Sequence, residues 1–165
     1  MKKSVRLILW IIPIMLLAFC IFTFTHPRLP ILPSLSLQLP DSVTIFNTEY
    51  IQEGKPSVLI FFSPDCEHCQ DETINIIKNI DSLKRVNILF ITIDPFDRLK
   101  AFYNFYKIAN YPNITMGRDI SYYFPNHFKE LQPPFLVIYD SQKKERIKYS
   151  GEIEVKKLIE YVNKL

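Results

Sequence analysis

The sequence predicts an α/β fold in three layers: a mixed central sheet with helices on both faces, preceded by one N-terminal apolar span. Three observations carry that prediction. Short runs of strand length, at 58–62, 86–92 and 135–139, alternate with stretches whose apolar residues recur at helical spacing. The first and third runs, Val-Leu-Ile-Phe-Phe and Phe-Leu-Val-Ile-Tyr, carry no charge, which is the pattern of strands buried on both faces. Ahead of them, Met1-Lys2-Lys3 and Arg6 precede an uncharged stretch over 7–24. That stretch is just long enough to cross the hydrocarbon core of a bilayer as a helix.

The elements follow in order. Residues 1–25 read as a cytoplasmic flank and a single transmembrane helix. The positive flank predicts a cytoplasmic N-terminus, with the rest of the chain outside the cytoplasm, in the periplasm of a cell that has one. A cleaved signal would close on small residues, and Phe22-Thr23-Phe24-Thr25-His26-Pro27 does not. A lipidated Cys20 would follow a small residue, and Phe19 stands there. The segment therefore reads as a retained signal-anchor. Residues 26–40 hold prolines at 27, 30, 33 and 40 and read as an extended spacer, with leucines more apolar than a free linker needs. The domain proper reads as 41–165. It opens with a short strand at 43–46, and the buried strand 58–62 follows. Ile76, Ile77, Ile80 and Leu83 mark a helix, and 86–92 a second core strand. Leu99, Phe102, Tyr103 and Tyr106 form one helical face. An extended segment at 111–115 and a short helix at 122–128 come next. A third core strand at 135–139, an edge strand at 146–149 and a final amphipathic helix on Val155, Leu158, Ile159 and Val162 complete the chain.

Composition narrows the function. The chain has 165 residues, enough for one domain and an appendage. A net charge of +3, spread along the chain, gives no case for nucleic acid. The three glycines, Gly54, Gly117 and Gly151, are isolated, so no Gly-rich phosphate loop exists. Of three cysteines, Cys20 lies in the apolar span, which leaves a single pair in the soluble part. One pair is too few for a disulfide scaffold and enough for a redox centre. Nothing in the sequence calls for a bound cofactor, and the domain reads as a monomer.

That pair is Cys66-Glu67-His68-Cys69. It follows the strand 58–62 and a break at Ser63-Pro64-Asp65, and it opens a helix. Cysteines at i and i+3 there lie within bridging distance. The first sits near a helix N-terminus, whose unpaired N–H groups and dipole favour a thiolate. The thiolate is the form that attacks disulfides.

With these residues, and with Pro134 just ahead of the strand 135–139, the chain resembles thioredoxin-fold proteins over about residues 41–165. The extra strand and helix before Pro134, together with the apolar span, make it most similar to the membrane-anchored TlpA/ResA, or redoxin, group of thiol–disulfide oxidoreductases. The resemblance implies a redox-active disulfide Cys66–Cys69 with Cys66 as nucleophile and Cys69 as resolving thiol. It implies a cis Pro134 packed on the sulfurs, protein thiols and disulfides as partners, and reduction of those partners. Asp65, Glu67, His68 and Pro133 are the expected modulators. Asp65 stands where relatives carry Trp, and its charge opposes a neighbouring thiolate. His68 favours the thiolate when protonated, as in DsbA-type oxidants. Pro133 lacks the N–H that would pair with a bound substrate strand. Thioredoxins place a buried carboxylate six residues before the first cysteine, and Ile60 stands there. A proton acceptor for Cys69 is therefore expected from Glu67, Asp65 or water. Two alternatives use the same residues. A thiol peroxidase of the peroxiredoxin kind would use Ser63, and a copper-delivery module without redox turnover would use His127 as a third ligand.

Overall fold

The computed structural model describes Met15, residues 29–130 and residues 132–165. The anchor read over 1–25, with Cys20, lies outside the described residues apart from Met15, as does the start of the spacer, 26–28. Among the described residues no helix is long and apolar enough to cross a membrane.

Seven strands form one sheet: β1 (Ser36–Gln38), β2 (Ile45–Asn47), β3 (Ser57–Phe61), β4 (Asn87–Thr92), β5 (Ile114–Arg118), β6 (Phe135–Tyr139) and β7 (Glu145–Ser150), in the spatial order β2-β1-β5-β4-β3-β6-β7. β3, β4 and β5 are mutually parallel, while β6, β7, β1 and β2 join antiparallel. The sheet is mixed, as the alternation of elements predicts. Within residues 29–165 the described α-helices are α1 (Glu67–Lys78), α2 (Phe96–Phe105), α3 (Tyr123–Phe128) and α4 (Val155–Asn163).

Strand periodicity sorts the core into two layers. Val58 and Ile60, Ile88 and Phe90, and Leu136 and Ile138 face the side covered by α1, α2 and α4, where they pack with Ile76, Leu99, Phe102 and Leu158. Leu59 and Phe61, Leu89 and Ile91, and Val137 and Tyr139 face the other side, beneath Phe124 of α3 and Leu35, Leu37 and Ile51. The apolar runs lack alternation because both faces of the three central strands are covered. β7 is the edge strand that its sequence predicts, half-buried and exposed in turn.

The boundary drawn at 41 needs correction. Within the segment read as a spacer, Ile31 bridges Lys144, and Leu35 and Leu37 are buried. β1 enters the sheet between β2 and β5. The prolines hold this stretch extended, and its leucines supply the missing layer over the second face. At Gly117 of β5, a Cβ would lie 2.7 Å from Leu37 Cβ and 3.1 Å from Gln38 O, so only glycine lets β1 approach this closely. Two losses of stability are expected in denaturant unfolding. Leu37→Ala should cost about 2–5 kcal/mol, as for other fully buried leucines. Gly117→Ala should cost about 1–3 kcal/mol by overpacking. A free spacer would show no effect at Leu37.

Candidate active site

One end of the sheet collects the predicted residues. β3 delivers Ser63-Pro64-Asp65 and the start of α1 beyond Phe61. Phe61 pairs with Phe135 across β3 and β6, which brings Pro133 and Pro134 to the same end. Phe135 pairs with Ser150, so the loop 151–154 between β7 and α4 arrives there as well. The Gly151 N–H donates to the Pro134 carbonyl at 2.8 Å and fixes that loop to the proline. The Pro133–Pro134 peptide is cis, the form the resemblance implies, and Pro134 is buried.

Cys66 is the N-cap of α1. Its backbone is extended, and its sulfur accepts the Cys69 N–H at 3.2 Å, the place usually taken by a Ser or Asp oxygen. Glu67 in the first turn and Lys78 in the last suit the helix dipole. Cys66 is half-buried and Cys69 fully buried. Their Sγ atoms lie 2.6 Å apart as free thiols, so an intramolecular bond needs little movement. The Pro133 carbonyl lies 3.8 Å from Cys66 Sγ. Pro133 offers that carbonyl and, being proline, no N–H. Burial above all, then the contact with Cys66, pushes the Cys69 thiol well above the ordinary cysteine range.

Three expected modulators are exposed. Asp65 Oδ2 accepts from Arg98 Nη1 at 2.5 Å, and Arg98 also lies 4.0 Å from Asp94 Oδ1. The guanidinium thereby offsets the acid beside Cys66. His68 Nδ1 sits 3.1 Å from Glu152 Oε2, so its cationic form would be offset in turn. Glu67 points to solvent. None of the three forms a buried acceptor for Cys69.

The residue that sequence reading missed is Glu72. It lies one turn after Cys69 on α1, and Cys69, Glu72, Thr73 and Ile76 form the buried stripe of the helix. Glu72 is 1% exposed; its Oε1 accepts the Ile153 N–H at 3.3 Å, and its Oε2 has no partner among the described residues. Burial first, with the Glu152 charge adding to it against the Ile153 hydrogen bond, pushes its carboxyl up to about 7. A carboxyl raised toward neutrality on the same buried stripe as a thiol is a candidate acid–base group. The signal was its phase, since a glutamate stood on the apolar stripe of an otherwise amphipathic helix. The thioredoxin pattern directed attention to Ile60, which is simply core.

His127 does not join the cysteines; it stacks on Tyr123, with the Tyr123 hydroxyl 3.3 Å from its Nδ1. Among the described residues no three His, Cys, Asp or Glu side chains converge on a possible metal position. Asp65, next to Cys66 in the chain, borders an open cleft of about 400 Å³ lined by Pro64, Arg98, Ala101, Phe102, Phe105 and Tyr106, with Phe105 78% exposed.

A vicinal dithiol on a helix N-terminus, a proline loop across from it and the sheet order above define a thioredoxin-like oxidoreductase. A model of the AhpC/TSA family matches residues 31–149, and the chain belongs to that family. Among solved structures it is similar to dsbF of Mycobacterium tuberculosis, with a TM-score of 0.69, 22% identity, and 83% of this chain and 98% of that one covered. A secreted M. tuberculosis disulfide oxidoreductase homologous to E. coli DsbE gives 0.66 and 18%, covering 79% and 96%. The mitochondrial 2-Cys peroxiredoxin of Plasmodium falciparum gives 0.67 and 16%, covering 84% and 93%. At these identities the likeness is one of fold. No curated protein sequence matches the chain.

The burial of Glu72 has a thermodynamic consequence. Its folded carboxyl titrates at about 7 against an ordinary 4.5, so between those values the folded state holds a proton that the unfolded chain has lost. Stability therefore falls as pH rises from about 4.5 through 7. Glu72→Gln keeps the acceptor for the Ile153 N–H and removes the charge. It should stabilise the protein at pH 8 by up to about 3 kcal/mol and by little at pH 4.5, measured as thermal unfolding against pH.

Proposed function

We propose that the protein is a membrane-anchored thiol–disulfide oxidoreductase that works outside the cytoplasm and reduces disulfides of partner proteins. The observation that carries this reading is the buried Cys69, 2.6 Å from the Cys66 sulfur and one helical turn from the buried Glu72 carboxyl. Cys66 thiolate attacks one sulfur of the partner disulfide. The partner S–S bond breaks, its other sulfur leaves as a thiolate and takes a proton from water, and a mixed disulfide forms. Cys69 then gives its proton to Glu72 and attacks Cys66 Sγ. The mixed disulfide breaks, the partner's second sulfur leaves as a thiolate and takes a proton from water, and the partner is released as a dithiol while Glu72 returns its proton to solvent. Two electrons have passed to the partner, and Cys66–Cys69 is now a disulfide that a thiol donor must reduce again.

Electrostatics favour the reducing direction. A protein becomes an oxidant when it stabilises its thiolate. Here burial opposes a Cys69 thiolate, Glu67 and Glu72 add negative charge, and Glu152 offsets His68. A polypeptide partner fits the exposed Phe105 cleft that runs up to Asp65. The anchor rests on the uncharged stretch 7–24 behind Lys2, Lys3 and Arg6. Peroxide chemistry, the alternative within the family, is less well served, because the nearby Arg98 is held by Asp65 and Asp94.

Cys66→Ser should abolish turnover of a disulfide substrate. Cys69→Ser should instead accumulate mixed disulfides, seen on non-reducing gels and identified by mass spectrometry. Peroxide consumption that survives Cys69→Ser would favour the peroxidase. Equilibration with glutathione should give a potential at or below about −220 mV; a value near −120 mV, typical of strong oxidants, would reverse the direction. The full chain should stay in the membrane after a high-salt wash and be digested by protease added to spheroplasts, in which the outer face of the cytoplasmic membrane is exposed. Release into the wash, or protection from the protease, would remove the anchored, outward-facing arrangement.

A further inference from the structure

Two contacts tie α1 to the loop between β7 and α4, and they are adjacent on both partners. On the helix, His68 and Glu72 lie one turn apart on one face. On the loop, Glu152 and Ile153 are consecutive. The outer contact joins His68 Nδ1 to Glu152 Oε2 at 3.1 Å, with the side chains 74% and 32% exposed. The inner contact runs from the Ile153 N–H to Glu72 Oε1 at 3.3 Å and is buried. The solvent-facing pair is thus one residue along the loop from the hydrogen bond that the Ile153 N–H donates to the buried carboxyl.

We propose that His68 and Glu152 are positioning residues whose ion pair holds the Ile153 N–H on Glu72 and balances the charge of Glu152. The pair thereby sets the pH range over which Glu72 takes the proton of Cys69. This rests on the reading of Glu72 as the acceptor in the exchange proposed above.

The groups that act on Glu72 are Cys69 on its own helix and Glu152 from the loop. His68 faces Glu152, with Glu67 beside it in sequence. Three cations on or near the neighbouring elements have partners elsewhere. Lys157 of α4 lies over the rings of Tyr149 and Tyr161, and Lys148 of β7 pairs with Glu145. Lys84, beyond the far end of α1, pairs with Asp81. β3 and β6 bring only Ser57, Tyr139 and aliphatic or Phe side chains. With His68 charged, Glu152 is neutralised and the N–H is held, and both effects favour the Glu72 carboxylate. Without His68, Glu152 repels that carboxylate and the loop loosens. Glu72 then keeps its proton to higher pH, and the Cys69 step becomes fast only at higher pH.

The test uses the reduced full chain and one equivalent of 5,5′-dithiobis(2-nitrobenzoate), followed by stopped-flow absorbance. The first thionitrobenzoate is released when Cys66 attacks the reagent, the second when Cys69 attacks the resulting mixed disulfide, so the two steps are read separately. His68→Gln should move the midpoint of the second-release pH profile up by about half a unit, a loss of about threefold in rate below the midpoint. In a Glu152→Gln background the same change should produce no such displacement. An unmoved midpoint in His68→Gln, or an equal displacement in both backgrounds, overturns the latch. Glu72→Gln should remove the pH-dependent limb of the second release. If Glu72→Gln keeps the parental profile, the acceptor reading itself falls. If it flattens the profile while His68→Gln moves nothing, the latch alone falls.

Discussion

Cys69 is held without solvent contact on the buried stripe of α1, and the chemistry of the site is organised around that burial. The stripe runs through Thr73 and Ile76 into the core between α1 and the sheet, so the sulfur cannot move out to meet a partner. Cys66, which caps the helix at its edge, is the more exposed of the two sulfurs. A buried thiol cannot keep a thiolate unaided, because water no longer solvates the charge. The helical repeat that buries Cys69 also places the Glu72 carboxyl on the same buried stripe, one turn along. The same burial raises the Cys69 thiol above the ordinary cysteine range.

Two surface ion pairs flank this buried pair of groups, Asp65 with Arg98 and His68 with Glu152. Exposed pairs of this kind add about 0–1 kcal/mol to stability, too little to explain them as structural supports. Their effect is local. Arg98 offsets the acid next to Cys66, and Glu152 offsets the histidine next to Cys69. A motif with acids on one side and a histidine on the other is thus closer to balanced in the fold than in the sequence. The motif alone pushes the sulfurs in two directions; the partners, which come from α2 and the β7–α4 loop, decide what remains.

Much of the architecture was legible because it follows from local physics. The uninterrupted apolar runs became β3, β4 and β6, buried on both faces. The spacing of Leu99 and Phe102 became α2, and that of Leu158 and Val162 became α4. The helix after the cysteine pair began at Glu67, directly behind Cys66. β1 was missed because Ser36–Gln38 is three residues long and lies among prolines, with no period to read. Its leucines were the hint, and Gly117 on β5 was the matching half that only the sheet order reveals. Glu72 was missed for a different reason: attention followed the family position at Ile60, while the carboxylate had moved to the other side of the cysteines.

The sequence by itself determined the strand cores, the helix that opens on Cys66 and Cys69, the proline ahead of β6 and the apolar N-terminal stretch. Each depends on residues close together in the chain, where spacing is information enough. Only the tertiary structure decided what surrounds the sulfurs. Arg98 reaches Asp65 across 33 residues, Glu152 reaches His68 across 84, and Ile153 reaches Glu72 across 81. Such contacts arise from which strands end at the same edge of the sheet, and strand order is set by packing both faces of the sheet, a property of the whole chain that no local window contains.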